Sequence, residues 1–565
     1  MALSRWGVPV AFGLAIAKFG LLAATNMEYL IAHSLSDDAF YYFTIARHAW
    51  EDGNFPTFDG VNKTNGFHYL YQLMLIPLVP LFADSLRSTY VVIIGLNAAF
   101  YLTGCAVLWR LAACSLPSRA VFPLMAYLLL GNLPFDLVAT GMECSLAFML
   151  GMTSLWLMTH AKAPSWLIGA VLGLLILARL DIGAIYAVTY GIAMLLRARR
   201  IPGERALLVR LGVVVAVSSV LVVPMFAYNY ATFGHFGTIS SATKMFVARH
   251  EISDGSGAVS PSLAVGQAAK STLSYAKTIL AGTAGDFLSV PYVAIAGKPP
   301  SMDGAEGVFE FLGDHIVASV IVVLAILSVA WALQALAARS SGGDGQSFSP
   351  LLLVFLIVVP LVHFAMVVAM LGRHGGSWYW LFFDAAIAVV LAMFAARTTI
   401  AASGARWALC ALSITGLLYH PVLILRCGAL HADYREPSWY SGSLEVVEYT
   451  KANAVEIPAA GCFNAGFYGY IAPHRVVNLD GLVNNWELLE ARKTGRVREY
   501  VLKQGITHIS DTGSPAKYLA PMGFNEDEYV LLFASPETGR FLVELQPKAT
   551  PQDAANDREE PARDP

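Results

Sequence analysis

The sequence predicts an α-helical polytopic membrane protein with a small α/β domain at its C-terminal end, outside the membrane. Three observations support this fold class. Apolar residues make up 56% of the 565-residue chain and charged residues only 14%, with a mean hydropathy of +0.57. Long apolar runs recur up to about residue 425. Mixed polar sequence follows them, as expected of a domain in water.

The apolar runs predict about eleven membrane spans. They lie at about 7–25, 89–109, 120–133, 144–159, 166–178, 182–196, 211–228, 316–338, 350–371, 381–396 and 406–425. Runs shorter than about 20 residues are interpreted as tilted spans, or as spans that continue into polar residues facing a cavity. The first run is longer than a typical signal-peptide core, so we expect it to be an uncleaved anchor.

Basic residues predict the orientation. If each run crosses once, Arg5, the basic cluster at 197–210 and Arg397 fall on the same side, which is therefore expected to be cytoplasmic. The outer side then receives a first loop at 26–88, a large loop at 229–315 and everything after about residue 426. The apolar stretch 67–82 is interpreted as a juxtamembrane helix, because a span there would place the basic cluster outside.

Charge and cysteine content exclude several functional classes. The formal net charge of −3 and the pI of about 6.5 give no basic surface of the kind that binds nucleic acid, so no nucleic-acid partner is expected. The six cysteines are scattered and lack the spacing of a metal or redox site. They are interpreted as small buried hydrophobic residues.

The sequence predicts three segments. Residues 1–425 form the transmembrane catalytic domain, 426–547 form the outer α/β domain, and 548–565 form a disordered tail. In the outer domain, helices are predicted at 443–453, 486–494 and 497–504, and strands at 461–466, 475–479 and 506–510. This alternation of helix and strand is typical of a small α/β fold.

An acidic pair, Asp37 and Asp38, follows the first predicted span. Adjacent carboxylates at a membrane surface are unfavourable unless a cation, a substrate or a proton makes use of them. Either carboxylate can act as a general base, and Asp38 can bind a divalent cation such as Mg²⁺ or Mn²⁺. The alternative is that the pair only caps the amphipathic helix that follows.

Further polar residues fall on the predicted outer side. Glu143 stands at the end of a span, where it is a candidate functional carboxylate or, alternatively, an acid that complements a helix dipole. Arg179 can hold a donor phosphate through paired hydrogen bonds, or it can pair with Asp181 or Glu143. The imidazole of His68 is a candidate phosphate or metal contact.

Two outer loops add weaker candidates. His235 and Lys244 can contact a phosphate, although loop residues of these types are normally solvated. Arg373 can meet a lipid phosphate, and Tyr379 with Trp378 can stack on a sugar ring. The alternative for these aromatic residues is an interfacial belt.

Several motifs in order resemble one bacterial subgroup of the GT-C glycosyltransferases. Besides the acidic pair with Tyr41 and Tyr42, they are Asn62-Lys63-Thr64-Asn65-Gly66-Phe67-His68, Gly141-Met142-Glu143, Arg179-Leu180-Asp181, Asn229-Tyr230-Ala231-Thr232-Phe233-Gly234-His235 and Asn478-Leu479-Asp480-Gly481-Leu482-Val483-Asn484. Many relatives have proline where Tyr69 stands, and Pro-x-Ser where this chain has the stretch 237–240.

This resemblance implies a membrane enzyme that transfers a sugar, with inversion, from a polyprenyl-phosphate donor to a cell-envelope glycan or lipid. The enzyme would work among membrane lipids at the periplasmic face of a bacterial inner membrane. It implies catalytic roles for Asp37, Asp38 and Glu143. It also implies donor or substrate contacts for residues within the motifs, namely Tyr41, Asn65, His68, Arg179, Asp181 and His235. Residue type and loop position add Lys244, Arg373 and Tyr379 as further candidates for such contacts.

Two other classes of function stay open. A transporter or flippase of lipid-linked saccharides also uses many spans and intramembrane acids. It usually has internal repeats, however, and charges near the bilayer midplane, whereas the polar residues here lie at one membrane face. A sensor or assembly scaffold is the second alternative. Such a function does not explain why Asp37 and Asp38 are present.

Overall fold

A computed structural model describes residues 2–82, 84–116, 118–160, 162–200, 205–251, 354–363, 381–395, 400–431, 433–435 and 438–548. The chain divides into two compact units. The first unit contains residues 1–39 and 68–435, and the second contains residues 40–67 and 436–565. Residues 40–67 thus group with the C-terminal region, whereas the sequence analysis placed them in the transmembrane domain.

The described part of the first unit is helical. Its α-helices are α1 (Ala2–Ala24), α2 (Met27–His33), the start of α3 (Asp37–Glu51), α4 (Tyr69–Leu75), α5 (Leu86–Ser115), α6 (Ser118–Leu130), α7 (Asn132–Ala139), α8 (Cys144–Thr159), α9 (Ser165–Ala178), α10 (Leu180–Arg200), α11 (Arg205–Phe233), α12 (Ile239–Glu251), α13 (Leu381–Ala395) and α14 (Ile400–Arg426). A 3₁₀ helix, Ile76–Leu81, follows α4, and a π-helical turn spans Val354–Val358.

Four helices in the described residues are long and apolar enough to cross a membrane: Trp6–Ala24, Leu86–Cys114, Arg205–Phe233 and Leu409–Arg426. The bent pair α6 and α7 makes a fifth if it is counted as one span, and five shorter apolar helices accompany them. The chain is therefore an integral membrane protein. The predicted total of about eleven spans stays a prediction, because the run 316–338 and most of 350–371 lie outside the described residues.

Two places in this unit depart from straight spans. The helices α6 and α7 meet at Gly131 with a bend of 42°. The stretch predicted as a juxtamembrane helix forms α4 and the 3₁₀ helix, in which Pro77 and Pro80 lie. Proline lacks a backbone donor and so interrupts the α-helical ladder. Together the two helices cover only residues 69–81, which is shorter than a straight helical span requires.

The second unit is built on a five-stranded sheet with strand order β2-β1-β3-β5-β4. Its strands are β1 (Ala459–Cys462), β2 (Arg475–Asn478), β3 (His508–Thr512), β4 (Tyr529–Ala534) and β5 (Arg540–Leu545). Its helices are α15 (Trp439–Ala452), α16 (Gly466–Ile471), α17 (Trp486–Lys493), α18 (Val497–Lys503) and α19 (Pro515–Leu519), with 3₁₀ turns at Ala520–Met522 and Glu526–Glu528.

Strand pairing in this sheet is mixed. β1 pairs in parallel with β2 and with β3, and β5 pairs antiparallel with β3 and β4. A buried cluster that includes Leu488, Val501, Ile509 and Val543 packs helices against the sheet. The small C-terminal α/β domain predicted from the sequence is thus present. The hairpin of β4 and β5 was not anticipated, because β4 is half exposed on both sides and lacks a clean alternating pattern.

The segment 40–67 is part of the second unit through specific contacts. Arg475 donates two hydrogen bonds to Asp59 Oδ2, at 3.1 and 2.7 Å. Arg47 donates to the carbonyl of Tyr470 at 2.8 Å. The backbone of Gly66 lies so close to the carbonyl of Leu482 that an added Cβ would fall 1.8 Å from that oxygen. Only glycine fits there.

Candidate active site

The acidic pair is preceded by a segment that docks on the end of α7. The amide of Leu35 donates to the carbonyl of Ala139 at 2.9 Å, and the amide of Ser36 donates to that of Thr140 at 2.8 Å. Leu35 has a φ of +38°, a conformation that costs free energy for a side chain with a Cβ. These contacts fix the point at which α3 begins and hence where the two carboxylates start.

Asp37 and Asp38 face different surroundings. Asp37 is buried and lies within electrostatic range of the Tyr90 phenol in α5. Asp38 is partly exposed, and its neighbours are Lys244 of α12 and Glu143. Partial burial raises the pKa of Asp38 above its usual range, Lys244 lowers that pKa, and Glu143 raises it. Of the two acids, Asp38 therefore shares its surroundings with other ionisable groups.

Glu143 lies between a guanidinium and an imidazole. It precedes α8 and is 1% exposed. Its Oε1 is 3.2 Å from Nη1 of Arg179 and 3.4 Å from Nε2 of His68. A buried carboxylate needs such partners, because burial without them is costly. The side chain of His68 is 30% exposed, so this network is open at His68.

Arg179 is held by a second acid. Its Nε and Nη2 donate to the two oxygens of Asp181 at 3.1 and 2.8 Å, and Arg179 is 2% exposed. This is the ion-pairing alternative kept open for Arg179, and it directs the guanidinium at Asp181 and Glu143. Arg179 is accordingly not among the donor-binding residues proposed below.

His363 completes this network and was not identified from the sequence. Its Nε2 lies 2.8 Å from Oδ2 of Asp181, and the residue is 1% exposed. The available signal was a single imidazole within an apolar run, which a membrane span rarely contains without a partner. The sequence does not indicate which partner that would be, because 182 positions separate His363 from Asp181.

The two candidates predicted in the large outer loop, Lys244 and His235, differ in their surroundings. Lys244, in α12, interacts electrostatically with both Asp38 and His68. Partial burial lowers the pKa of His68, an effect opposed by the negative charges of Glu143 and Asp181 and reinforced by Arg179 and Lys244. His235 is exposed in the turn between α11 and α12. Among the described candidates of this unit, the cluster thus contains Asp38, His68, Glu143, Arg179, Asp181 and Lys244.

Two candidates belong to the second unit, where they have structural contacts. Tyr41 donates to Oδ2 of Asp480 at 2.7 Å and accepts from Nδ2 of Asn478 at 3.1 Å. Asn65 is fully buried. The motif 62–66 and the motif 478–484 meet at Gly66, and Asn485 donates to Oδ1 of Asn62 at 2.8 Å. The structure thus joins two motifs that are far apart in the sequence.

The remaining predicted residues cannot be placed in this way. Arg373, Trp378 and Tyr379 lie outside the described residues. The divalent cation at Asp38 stays a prediction. In the described ranges, no group of three or more His, Cys, Asp or Glu side chains could hold a metal ion, and a lysine ammonium is one of the charges nearest Asp38. No catalytic step below involves a metal.

No family model and no curated protein matches the chain. Solved structures do. The archaeal oligosaccharyltransferase AglB from Archaeoglobus fulgidus, in complex with an inhibitory peptide and a dolichol-phosphate, is 14% identical with a TM-score of 0.49, and the match covers 100% of this chain and 76% of that one. ArnT from Cupriavidus metallidurans bound to undecaprenyl phosphate is 15% identical with a TM-score of 0.47, covering 96% and 98%.

Proposed function

We propose that this chain is a membrane glycosyltransferase that transfers a sugar from a polyprenyl-phosphate donor to a hydroxyl group of a cell-envelope glycan or lipid. One observation carries the proposal. The partly exposed carboxylate of Asp38 shares its surroundings with the Lys244 ammonium and the Glu143 carboxylate. A base beside a cation is what sugar transfer from a phosphate requires.

In the proposed reaction, Asp38 accepts the proton of the acceptor hydroxyl. The acceptor oxygen attacks the anomeric carbon, and the bond between that carbon and the phosphate oxygen breaks. The products are the glycosylated acceptor and a polyprenyl phosphate, with the proton on Asp38. A pKa raised above the usual range makes a carboxylate a stronger base, provided that it is ionised when the substrate binds.

The leaving phosphate gains negative charge, and two groups can compensate for it. Lys244 supplies a permanent cation beside Asp38, and the partly exposed His68 can donate a hydrogen bond. Glu143 orients His68, since its Oε1 lies 3.4 Å from Nε2. Arg179 contacts both Glu143 and Asp181, and its single positive charge offsets part of their negative charge. Inversion of the anomeric configuration is implied by the family resemblance alone.

The active site is proposed to face the periplasm of a bacterial inner membrane. The basic cluster at 197–210 supports this orientation through the positive-inside bias. Reporter fusions after Pro202 and Pro547 are expected to report opposite compartments, with the second one outside. The same compartment for both would mean that the number of spans between them is wrong by an odd number.

Transfer is best tested with purified protein in detergent. The donors are undecaprenyl phosphate linked to glucose, mannose, galactose or arabinose, and the acceptors are envelope glycan and lipid extracts. We expect donor-dependent release of undecaprenyl phosphate together with a glycosylated product, and no release with Asp38→Asn. Movement of intact donor across vesicle membranes without release of phosphate would instead identify a flippase and refute the proposal.

A further inference from the structure

Outside the acidic cluster, the first unit buries a second group of ionisable side chains where α6 and α7 meet. Lys18 of α1 is 3% exposed, and its Nζ lies 3.4 Å from the carbonyl of Leu130 and 3.4 Å from Oδ1 of Asn132. The same Nζ lies 4.1 Å from the centre of the Phe135 ring. A lysine within a membrane-spanning helix is costly unless its surroundings compensate for the charge.

A second ionisable side chain also contacts α7. The Nε2 of His420, in α14, lies 2.9 Å from Oδ1 of Asp136. Asn132 donates to the other oxygen of Asp136 at 3.0 Å and so joins the two halves of the group. The backbone of α14 also comes close, because a Cβ added at Gly416 would fall 2.5 Å from the amide nitrogen of Asn132.

These contacts concentrate on a helix break. A break in a span frees backbone groups that neighbouring side chains must satisfy, and Lys18 does so for the carbonyl of Leu130. Four residues of three helices, Lys18, Asn132, Asp136 and His420, thus hold α7 at its bend of 42°. We call this set the α7 brace.

The C-terminal end of α7 supports the acidic pair. The carbonyls of Ala139 and Thr140 accept the amides of Leu35 and Ser36 at 2.9 and 2.8 Å. Gly141 follows with a φ of +75°, and its carbonyl accepts the Tyr71 hydroxyl at 2.7 Å. A rotation of α7 would therefore displace the residues immediately before Asp37 and Asp38.

We propose that Lys18 and His420 are positioning residues for the transfer reaction: they hold α7 so that its last carbonyls fix the start of α3 and the place of Asp38. This inference rests on the proposed function, but its structural part can be measured without any activity. A misplacement of about 1 Å can cost on the order of 100-fold in rate.

Lys18→Met keeps the length of the side chain and removes the charge. We expect kcat per folded molecule to fall by about 10–100-fold, with a donor KM that changes by less than about threefold. The substitution also removes the donor to the carbonyl of Leu130 and to Oδ1 of Asn132, so a lower thermal midpoint is expected as well. Leu22→Ala is the matched control, because Leu22 is a fully buried apolar residue one turn further along α1. It is expected to lower the thermal midpoint but not the kcat of the folded protein.

Hydrogen exchange gives the readout that does not depend on activity. In Lys18→Met, a peptide covering residues 34–38 should exchange at least about tenfold faster, because the amides of Leu35 and Ser36 lose their fixed acceptors. Leu22→Ala should leave this peptide unchanged. If wild-type protein transfers no sugar but the exchange result holds, the proposed function fails and the α7 brace stands.

His420→Phe tests whether both residues act through α7. A common route predicts that kcat of the double variant Lys18→Met/His420→Phe is close to that of the slower single variant, because effects through one element are not additive. Unchanged exchange at residues 34–38 in Lys18→Met would overturn the proposal. So would a loss of kcat that only follows the loss of folded protein, as in Leu22→Ala.

Discussion

Both units bury charged side chains, but the two units use them differently. In the first unit, Glu143 contacts the Arg179 guanidinium and the His68 imidazole, and His68 is partly exposed. In the second unit, Asp511 is fully buried and accepts the amides of Phe463 and Asn464 at 2.8 and 3.2 Å. The surroundings of the first carboxylate are open at His68. The second carboxylate also accepts from Nδ2 of Asn464 and lies near Arg540, which is fully buried.

The difference separates chemistry from architecture. A charge that contacts other mobile charges near solvent can respond to a substrate or a proton. A carboxylate whose oxygens accept several hydrogen bonds and whose basic neighbour is buried stabilises one loop conformation and is not available to bind a ligand. Burial and charge alone would have suggested both regions as sites, so the exposure of a basic neighbour such as His68 is the more useful criterion.

The largest effect should distinguish the two acids of the pair. Asp38→Asn is expected to lower the transfer rate by about 10²–10⁴-fold, the usual contribution of a general base, and Asp37→Asn to lower it much less. The reason is that Asp38 lies with Lys244 and Glu143, whereas Asp37 lies near Tyr90. The measurement is transfer by both variants at equal folded concentration. Equal loss in both, or full activity in Asp38→Asn, would remove Asp38 as the base.

The next effect concerns the buried ion pairs. Arg179→Met leaves Glu143 and Asp181 without their guanidinium and should destabilise the folded state by roughly 3–5 kcal/mol. Arg179→Lys keeps the charge, loses the paired geometry and should cost less. Thermal stability in detergent and donor titration are measured together. Normal stability with weakened donor binding would restore the phosphate-clamp interpretation of Arg179.

A smaller effect is expected in the second unit. Asp511→Asn places an amide against backbone donors and should cost roughly 1–3 kcal/mol in stability, with an unchanged transfer rate per folded molecule. Asp52→Asn is the control, because Asp52 is half exposed in its pair with His48 and should change stability by less than about 0.5 kcal/mol. A change in donor KM in Asp511→Asn would contradict a purely structural role.

The smallest effects are opposite shifts of the acid limb of the pH–rate profile. The base is active when ionised, so the rate rises with pH through the pKa of Asp38. Lys244 lowers that pKa, and Lys244→Met should move the limb to higher pH. Glu143 raises the pKa, and Glu143→Gln should move the limb to lower pH. The measurement is the pH–rate profile of each variant, normalised to its plateau. If the acid limbs of both variants moved in the same direction, Asp38 would not be the base.

Hydrophobic length predicted much of the fold. Runs such as 89–109 and 211–228 correspond to the long helices α5 and α11, because a helix that crosses a membrane requires a continuous run of apolar residues. The bend at Gly131 and the place of residues 40–67 were not predicted. Both depend on contacts with distant residues, such as Lys18 with Leu130 and Asp59 with Arg475, that no local pattern indicates.

The residue types of the candidate site were predicted from the sequence, and the pairing of Arg179 with Asp181 or Glu143 was predicted as an alternative to phosphate binding. Asp38, Glu143 and Lys244 were identified from charge near a span, and the structure brings them together. His363 was missed because its partner lies far away in the sequence. Tyr41 and Asn65 were candidates for substrate contact, yet their side chains are buried in the second unit. A sequence motif does not indicate whether a side chain is buried.

The second unit is built from two segments that are far apart in the chain, residues 40–67 and 436–565, and this separation affects the order in which the chain can fold. Residues 40–67 are made early, but the strands that they pack against begin at Ala459. At roughly 5–20 residues per second, synthesis of the intervening stretch takes on the order of 20–70 seconds. During that time the early segment has no sheet to join. Truncation before residue 436 would therefore remove the partner of this loop as well as the C-terminal domain.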